Sequence, residues 1–246
     1  MRYQEYGKEH KDVILLLHGG GLSWWNYREV AQQLQSEYRV VLPILDGHNE
    51  SDRDFTTIEE NAKEIIDWID QNFGGSVLLM GGVSLGGQIL LEMLSQRKEI
   101  CRYAIVESAL VIPSRLTHAL IKPAFGSCYG LVRQKWFAKL QFSYLRIKKD
   151  LFADYYRDTC GITKANMIRF LEANALYGIK ERLGECTAMV HIFVGEKEGA
   201  VMQKSAKRVE EALSGSVRTV LPGLYHGEFS LNHADRYVKE IKKLLL

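Results

Sequence analysis

The sequence predicts an α/β fold: a mostly parallel central sheet with helices on both faces and one inserted helical segment. Three observations predict it. Short apolar runs alternate with segments whose apolar residues recur at helical spacing, the pattern of a parallel sheet covered on both sides. That alternation breaks once, between about Val111 and Cys186, where the chain reads as helical and no strand returns. Within the alternating part, Gly82-Val83-Ser84-Leu85-Gly86 fits G-x-S-x-G between an apolar run and a helical pattern, where a sharp reversal strains the serine and flanking glycines remove the clashing Cβ atoms.

The elements follow in order. Val13 to Leu17, Tyr38 to Leu42, Ser76 to Met80, Arg102 to Val106, Met189 to Val194 and Ser216 to Leu221 are the apolar runs read as strands. Trp25 to Ser36, Thr57 to Phe73, Leu85 to Gln96, Val201 to Leu213 and Phe229 to Leu245 are the helices between them. Thr57 followed by Glu60 makes a capping box for the second helix. In the third, Leu85, Ile89, Leu90, Met93 and Leu94 fall on one face. Residues 1–110 and 187–246 are therefore expected to form the core, with 111–186 an inserted helical cap, or lid, hinged near Pro113, Pro123 and Gly126.

With 246 residues the chain lies within the range of a single large α/β domain. Its 32 Lys and Arg against 30 Asp and Glu, net +2, give no global bias toward nucleic acid or a membrane. Charge is nevertheless uneven. No acid occurs between Glu107 and Asp150, while Arg115, Lys122, Arg133, Lys135, Lys139, Arg146, Lys148 and Lys149 are all basic, so the cap could attract an anionic substrate or a lipid surface. Cys101, Cys128, Cys160 and Cys186 stand far apart without C-x-x-C spacing, which points to a reduced, cytoplasmic protein without a metal knuckle. The polar start and the lack of a long apolar run predict neither a standard secretion signal nor an integral membrane segment.

His18-Gly19-Gly20-Gly21, directly after the first strand, is close to the H-G-G-G-type loop that supplies an oxyanion donor. With the serine turn it makes the chain resemble the α/β-hydrolase fold superfamily, in particular serine esterases and lipases with a helical cap, over nearly its full length. The Asp46-Gly47-His48-Asn49-Glu50-Ser51 segment is similar to that family's G-H-G-x-S loop, with Asn49 in place of a glycine.

The resemblance implies a nucleophilic Ser84 and an oxyanion hole from the amides of Leu85 and Gly20, with Gly21 as the alternative. A serine hydroxyl also needs a base within hydrogen-bond reach. His10, His18, His48, His118, His191 and His233 suit structural, cap or surface positions, and His226 lies on the loop where the family carries its base. The acid that orients the base would be Glu198, at the family's G-x-x-D position in Gly195-Glu196-Lys197-Glu198, with Glu196 and Glu107 as alternatives. The order Ser84, Glu198, His226 is the nucleophile, acid, base order of that fold.

The implied activity is hydrolysis of a carboxylic ester or thioester of a small apolar or aromatic substrate, with no cofactor, metal or nucleic-acid partner. Trp24, Trp25, Trp136 and Phe137 are the expected substrate-lining aromatics. Amidase or lyase chemistry could use the same triad, and a non-catalytic ligand-binding receptor could share the fold.

Overall fold

The computed structural model describes residues 1–246. Seven strands, β1 (Tyr3–Tyr6), β2 (Val13–Leu17), β3 (Arg39–Pro43), β4 (Val77–Val83), β5 (Cys101–Glu107), β6 (Met189–Gly195) and β7 (Val217–Leu221), form one sheet in the order β1-β3-β2-β4-β5-β6-β7. All neighbours are parallel except β1, which pairs antiparallel with β3 from Tyr3 opposite Pro43 to Tyr6 opposite Val40. The six apolar runs are all strands. The edge strand β1 has no counterpart in the sequence reading, because its Y-Q-E-Y sequence is half exposed and lacks an apolar signature.

β2 shows why the polarity of the inner strands does not alternate. Leu15 and Leu17 pack in the core on one face of the sheet, and Ile14 and Leu16 in the core on the other, so every residue of V-I-L-L-L is buried. Each such side chain contributes about 1.5–3 kcal/mol by leaving water. The helices α1 (Arg28–Leu34), α2 (Ile58–Phe73), α3 (Leu85–Gln96), α8 (Ala200–Ala212), α9 (Glu228–Asn232) and α10 (Ala234–Leu245) cover these faces. The Thr57 hydroxyl caps α2 by accepting from the Glu60 amide at 3.0 Å. The pattern from Phe229 to Leu245 is split at His233, whose φ of −127° and ψ of 50° leave the helical region. The predicted helix at Trp25 begins as a 3-10 turn over Trp24–Tyr27.

Between β5 and β6 lie four α-helices, α4 (Arg115–Val132), α5 (Lys135–Tyr144), α6 (Phe152–Gly161) and α7 (Lys164–Leu176), and two short 3-10 turns, with no strand. Pro123 does not break α4, contrary to the expected hinge there; the helix runs through it, and the Ser127 hydroxyl donates to the Pro123 carbonyl at 3.0 Å.

A polar staple holds these helices to the sheet. Asp158 of α6, 1 % exposed, accepts from the Trp25 indole at 2.7 Å and from the Asn49 amide at 2.8 Å. Asn49 leans on Gly161, where any Cβ would overlap it. Below the staple, Leu22, Trp25, Phe142, Leu151 and Tyr155 form a small apolar cluster shared by the two layers.

Candidate active site

β4 ends at Val83 and α3 begins at Leu85, so the whole reversal falls on Ser84, at φ 53° and ψ −115°. Left-handed angles strain any L-residue with a side chain. A Cβ on Gly82 would strike the Gly86 carbonyl, and one on Gly86 would strike the Leu17 and His18 carbonyls, so glycine is required on both sides. The Ser84 amide donates to the Glu107 carbonyl at 2.9 Å, which anchors the turn to β5. The hydroxyl is left at the N-terminus of α3, where unpaired amides favour negative charge.

The loop after β7 carries His226. Its Nε2 lies 3.0 Å from Ser84 Oγ and its Nδ1 lies 2.8 Å from Glu198 Oε2. Glu198, on the turn after β6, also accepts from the Gly195 amide and the Ser108 hydroxyl, each at 2.7 Å. The Glu198 side chain is fully buried, whereas the His226 ring is 45 % exposed. Burial pushes the Glu198 carboxyl upward, but His226, the Ser108 hydroxyl and the Gly195 amide outweigh it and leave the pKa below the usual value. Glu198 is thus held as a carboxylate that keeps a proton on Nδ1 and leaves the Nε2 lone pair facing the serine. Gly195 makes this possible, because a Cβ there would collide with the Leu224 carbonyl of the histidine loop.

The two alternative acids are engaged elsewhere. Glu107 accepts from the amides of Phe229 and Ser230 at 3.1 and 3.2 Å, and burial raises its carboxyl to about 7. Glu196 accepts from the Gly223 amide at 2.8 Å on the surface. Ser108, which steadies Glu198 from the end of β5, was missed by sequence reasoning, since a lone serine carries no motif.

The glycine loop crosses above Ser84. A Cβ on Gly20 would lie 3.6 Å from that of Leu85, so the two candidate oxyanion donors are neighbours. The Gly20 amide meets no acceptor in the protein, whereas the Gly21 amide donates to His48 Nε2 at 3.0 Å. His18 Nε2 accepts from the Leu45 amide at 3.1 Å. Burial keeps both rings neutral, His48 down to about 4 and His18 well below its ordinary value. They are struts of the loop.

Leu145 lines two cavities, one reaching His226 and the other Gly20. One, of about 500 Å³, is bordered by His226, Tyr225, Lys197 and Arg146. The other, about 130 Å³, lies at Gly20 among Phe125, Leu145, Met167 and Phe170. The four aromatics expected to line the substrate site border neither cavity. Trp25 is 1 % exposed and committed to Asp158, Trp24 lies under the Arg28 guanidinium, Trp136 is 62 % exposed, and Phe137 packs against the core. Trp24, Trp25 and Phe137 serve packing, and Trp136 lies on the surface. No group of three or more His, Cys, Asp and Glu side chains is arranged to hold a metal ion, and no helix is long and apolar enough to cross a membrane.

Among known proteins, the chain is 27% identical over 187 residues to human (Homo sapiens) epoxide hydrolase 4, covering 69% of this chain and 50% of that protein. The chain thus spans about half the length of the curated relative it matches. Its backbone superposes on a thermophilic esterase from Thermogutta terrifontis with a TM-score of 0.81 at 16% identity, covering 99% of this chain and 92% of that one. An enol-lactonase from Burkholderia xenovorans gives 0.83 at 15%, covering 99% and 95%. At such identities the likeness speaks for the fold alone. A family model described as the alpha/beta hydrolase fold matches residues 12–139, more than half of the chain. With that match and the sheet order around the serine turn, the chain belongs to the alpha/beta hydrolase fold family.

Proposed function

We propose that the protein is a serine hydrolase that cleaves carboxylic esters or thioesters through an acyl-enzyme. The supporting observation is the relay in which His226 Nε2 stands 3.0 Å from Ser84 Oγ while its Nδ1 meets Glu198 at 2.8 Å. His226 takes the Ser84 proton as Oγ attacks the carbonyl carbon, and the carbonyl electrons move to oxygen, where the Gly20 and Leu85 amides receive them. Collapse of the tetrahedral intermediate breaks the bond to the leaving group, which departs with the proton held by His226. Water, deprotonated by the same ring, then attacks the acyl-serine and returns the proton to Ser84 Oγ. Loss of one oxyanion donor would cost about 3–4 kcal/mol of barrier.

Residues 111–186 serve in this reading as the lid that roofs both cavities. The smaller cavity beside Gly20 fits a short apolar acyl group. The four unpaired cysteines fit a reducing compartment such as the cytoplasm.

The test combines labelling with turnover. A fluorophosphonate probe should label the protein and leave Ser84→Ala unlabelled, and p-nitrophenyl esters should be cleaved fastest at short acyl length. Labelling without turnover of any ester would redirect the reading to amidase or lyase chemistry. Absence of labelling would favour a non-catalytic receptor.

A further inference from the structure

The larger cavity carries a cation that nothing in the protein neutralises. Of the eight basic residues from Arg115 to Lys149, only Lys148 forms an ion pair, with Glu29 at 2.6 Å. Arg146 lies at the cavity wall with Ser143, Leu145, Tyr225 and His226. Its guanidinium sits 3.8 Å above the ring of Tyr225, the residue preceding His226. A cation stacked on an aromatic face keeps its in-plane N–H donors free for a planar acceptor.

The backbone beneath is built to hold it there. Arg146 has a φ of 55°, a left-handed conformation unfavourable for arginine. Asn232 fixes it by donating to the Arg146 carbonyl at 2.7 Å and accepting from the Lys148 amide at 3.1 Å. The acids nearby are all engaged: Glu198 with His226, Glu228 with the Tyr225 amide at 2.9 Å, and Glu196 with the Gly223 amide and, weakly, Lys197 at 3.9 Å. None is left for the guanidinium.

The direction of the chemistry assigns the cavity to one half of the substrate. The leaving atom must receive its proton from His226 Nε2, so the leaving group lies on the His226 side, in the cavity with Arg146 and Lys197. The acyl group then lies across Leu145, in the apolar cavity beside Gly20. We propose that the substrate is an ester of a short apolar acid with an alcohol or phenol that carries a carboxylate, and that Arg146 selects it by a two-point contact with that carboxylate, Lys197 adding to the field. This deepens the acyl-transfer reading above and rests on it. Hydrolysis adds one water across the ester bond and releases the short acid and the hydroxy-carboxylate.

Two acetate esters that differ in one group provide the test: 3-acetoxybenzoate and its neutral carboxamide, 3-acetoxybenzamide, with p-nitrophenyl acetate as reference. The wild type should favour the carboxylate ester by about tenfold in kcat/KM, the scale of a charge-assisted contact in a half-exposed cavity. In Arg146→Gln the ratio should fall to about one, and Arg146→Lys, which keeps the charge without the planar fork, should retain part of it, with thermal melts verifying that both variants fold. Cleavage of p-nitrophenyl acetate without a carboxylate preference, or a preference that survives Arg146→Gln, would overturn this inference while leaving the acyl-transfer reading intact. Failure on all three esters, with Ser84 also unlabelled, would overturn both.

Discussion

Ser84 is held at a backbone conformation that costs of order 1–3 kcal/mol for a residue with a side chain, and the surrounding glycines and strands enforce it. Ser84→Gly should therefore abolish activity yet raise stability by about 1 kcal/mol, read as an increase in the urea midpoint. A lower midpoint would mean that the turn is not strained. The acid carries its own contrast. In the proposed chemistry Glu198→Gln removes the carboxylate that fixes the tautomer of His226, and kcat should fall by roughly 10³–10⁴. Glu107→Gln, whose partners are the amides of Phe229 and Ser230, should stay within about tenfold of wild type. Reversal of these two results would move the acid to the end of β5.

At the scale of elements, the join between α6 and the core rests on Asp158, which binds Trp25 and Asn49 on the core side and Arg157 on its own helix at 2.7 Å. Asp158→Ala would leave the Trp25 indole N–H buried without an acceptor and undo the tie to the loop after β3. The expected loss is about 3 kcal/mol, because removing one member of a buried charged network strands the others. Limited proteolysis should then cut first within residues 111–186. Uniform resistance, unchanged from wild type, would show that the apolar cluster of Leu22, Phe142, Leu151 and Tyr155 suffices to hold the layers together.

Across the whole molecule, buried titratable groups give stability a pH dependence of predictable sign. His48, held down to about 4 by burial, and His18 are neutral when folded, while the unfolded chain takes up protons at both below about 6.5. Their contribution is fully present above that pH and is lost as pH falls toward 4, on the order of 3 kcal/mol for His48. Glu107, raised to about 7 by burial, works oppositely: its contribution is present below about 4.5 and lost as pH rises through 7. Because Glu107 opposes the histidines between pH 6.5 and 5, the readable quantity is a difference: the urea midpoint of His48→Gln, which cannot take up that proton, should rise relative to wild type as pH falls across this window. Equal slopes would remove His48 as the cause.

Six of the seven strands and the serine turn are legible in the sequence because both are local consequences of residue type: apolar runs bury themselves on two faces, and G-x-S-x-G permits a reversal that other residues block. The positions of His226 and Glu198 after their strands are legible too, through a family pattern of loop order. What no periodicity carries is contact between segments far apart in the chain. That Gly21 is spent on His48, that Ser108 steadies Glu198, that Asn49 and Trp25 meet on Asp158, and that Arg146 lies over Tyr225 with no acid to meet it were decided only when the sheet brought its loops to one edge. Burial and hydrogen-bond partners are properties of that three-dimensional neighbourhood, and the aromatics of the inserted helices show the difference: spacing alone did not separate Phe125 and Phe170, which border the cavity beside Gly20, from Phe137, which packs against the core, or from Trp136, which is exposed.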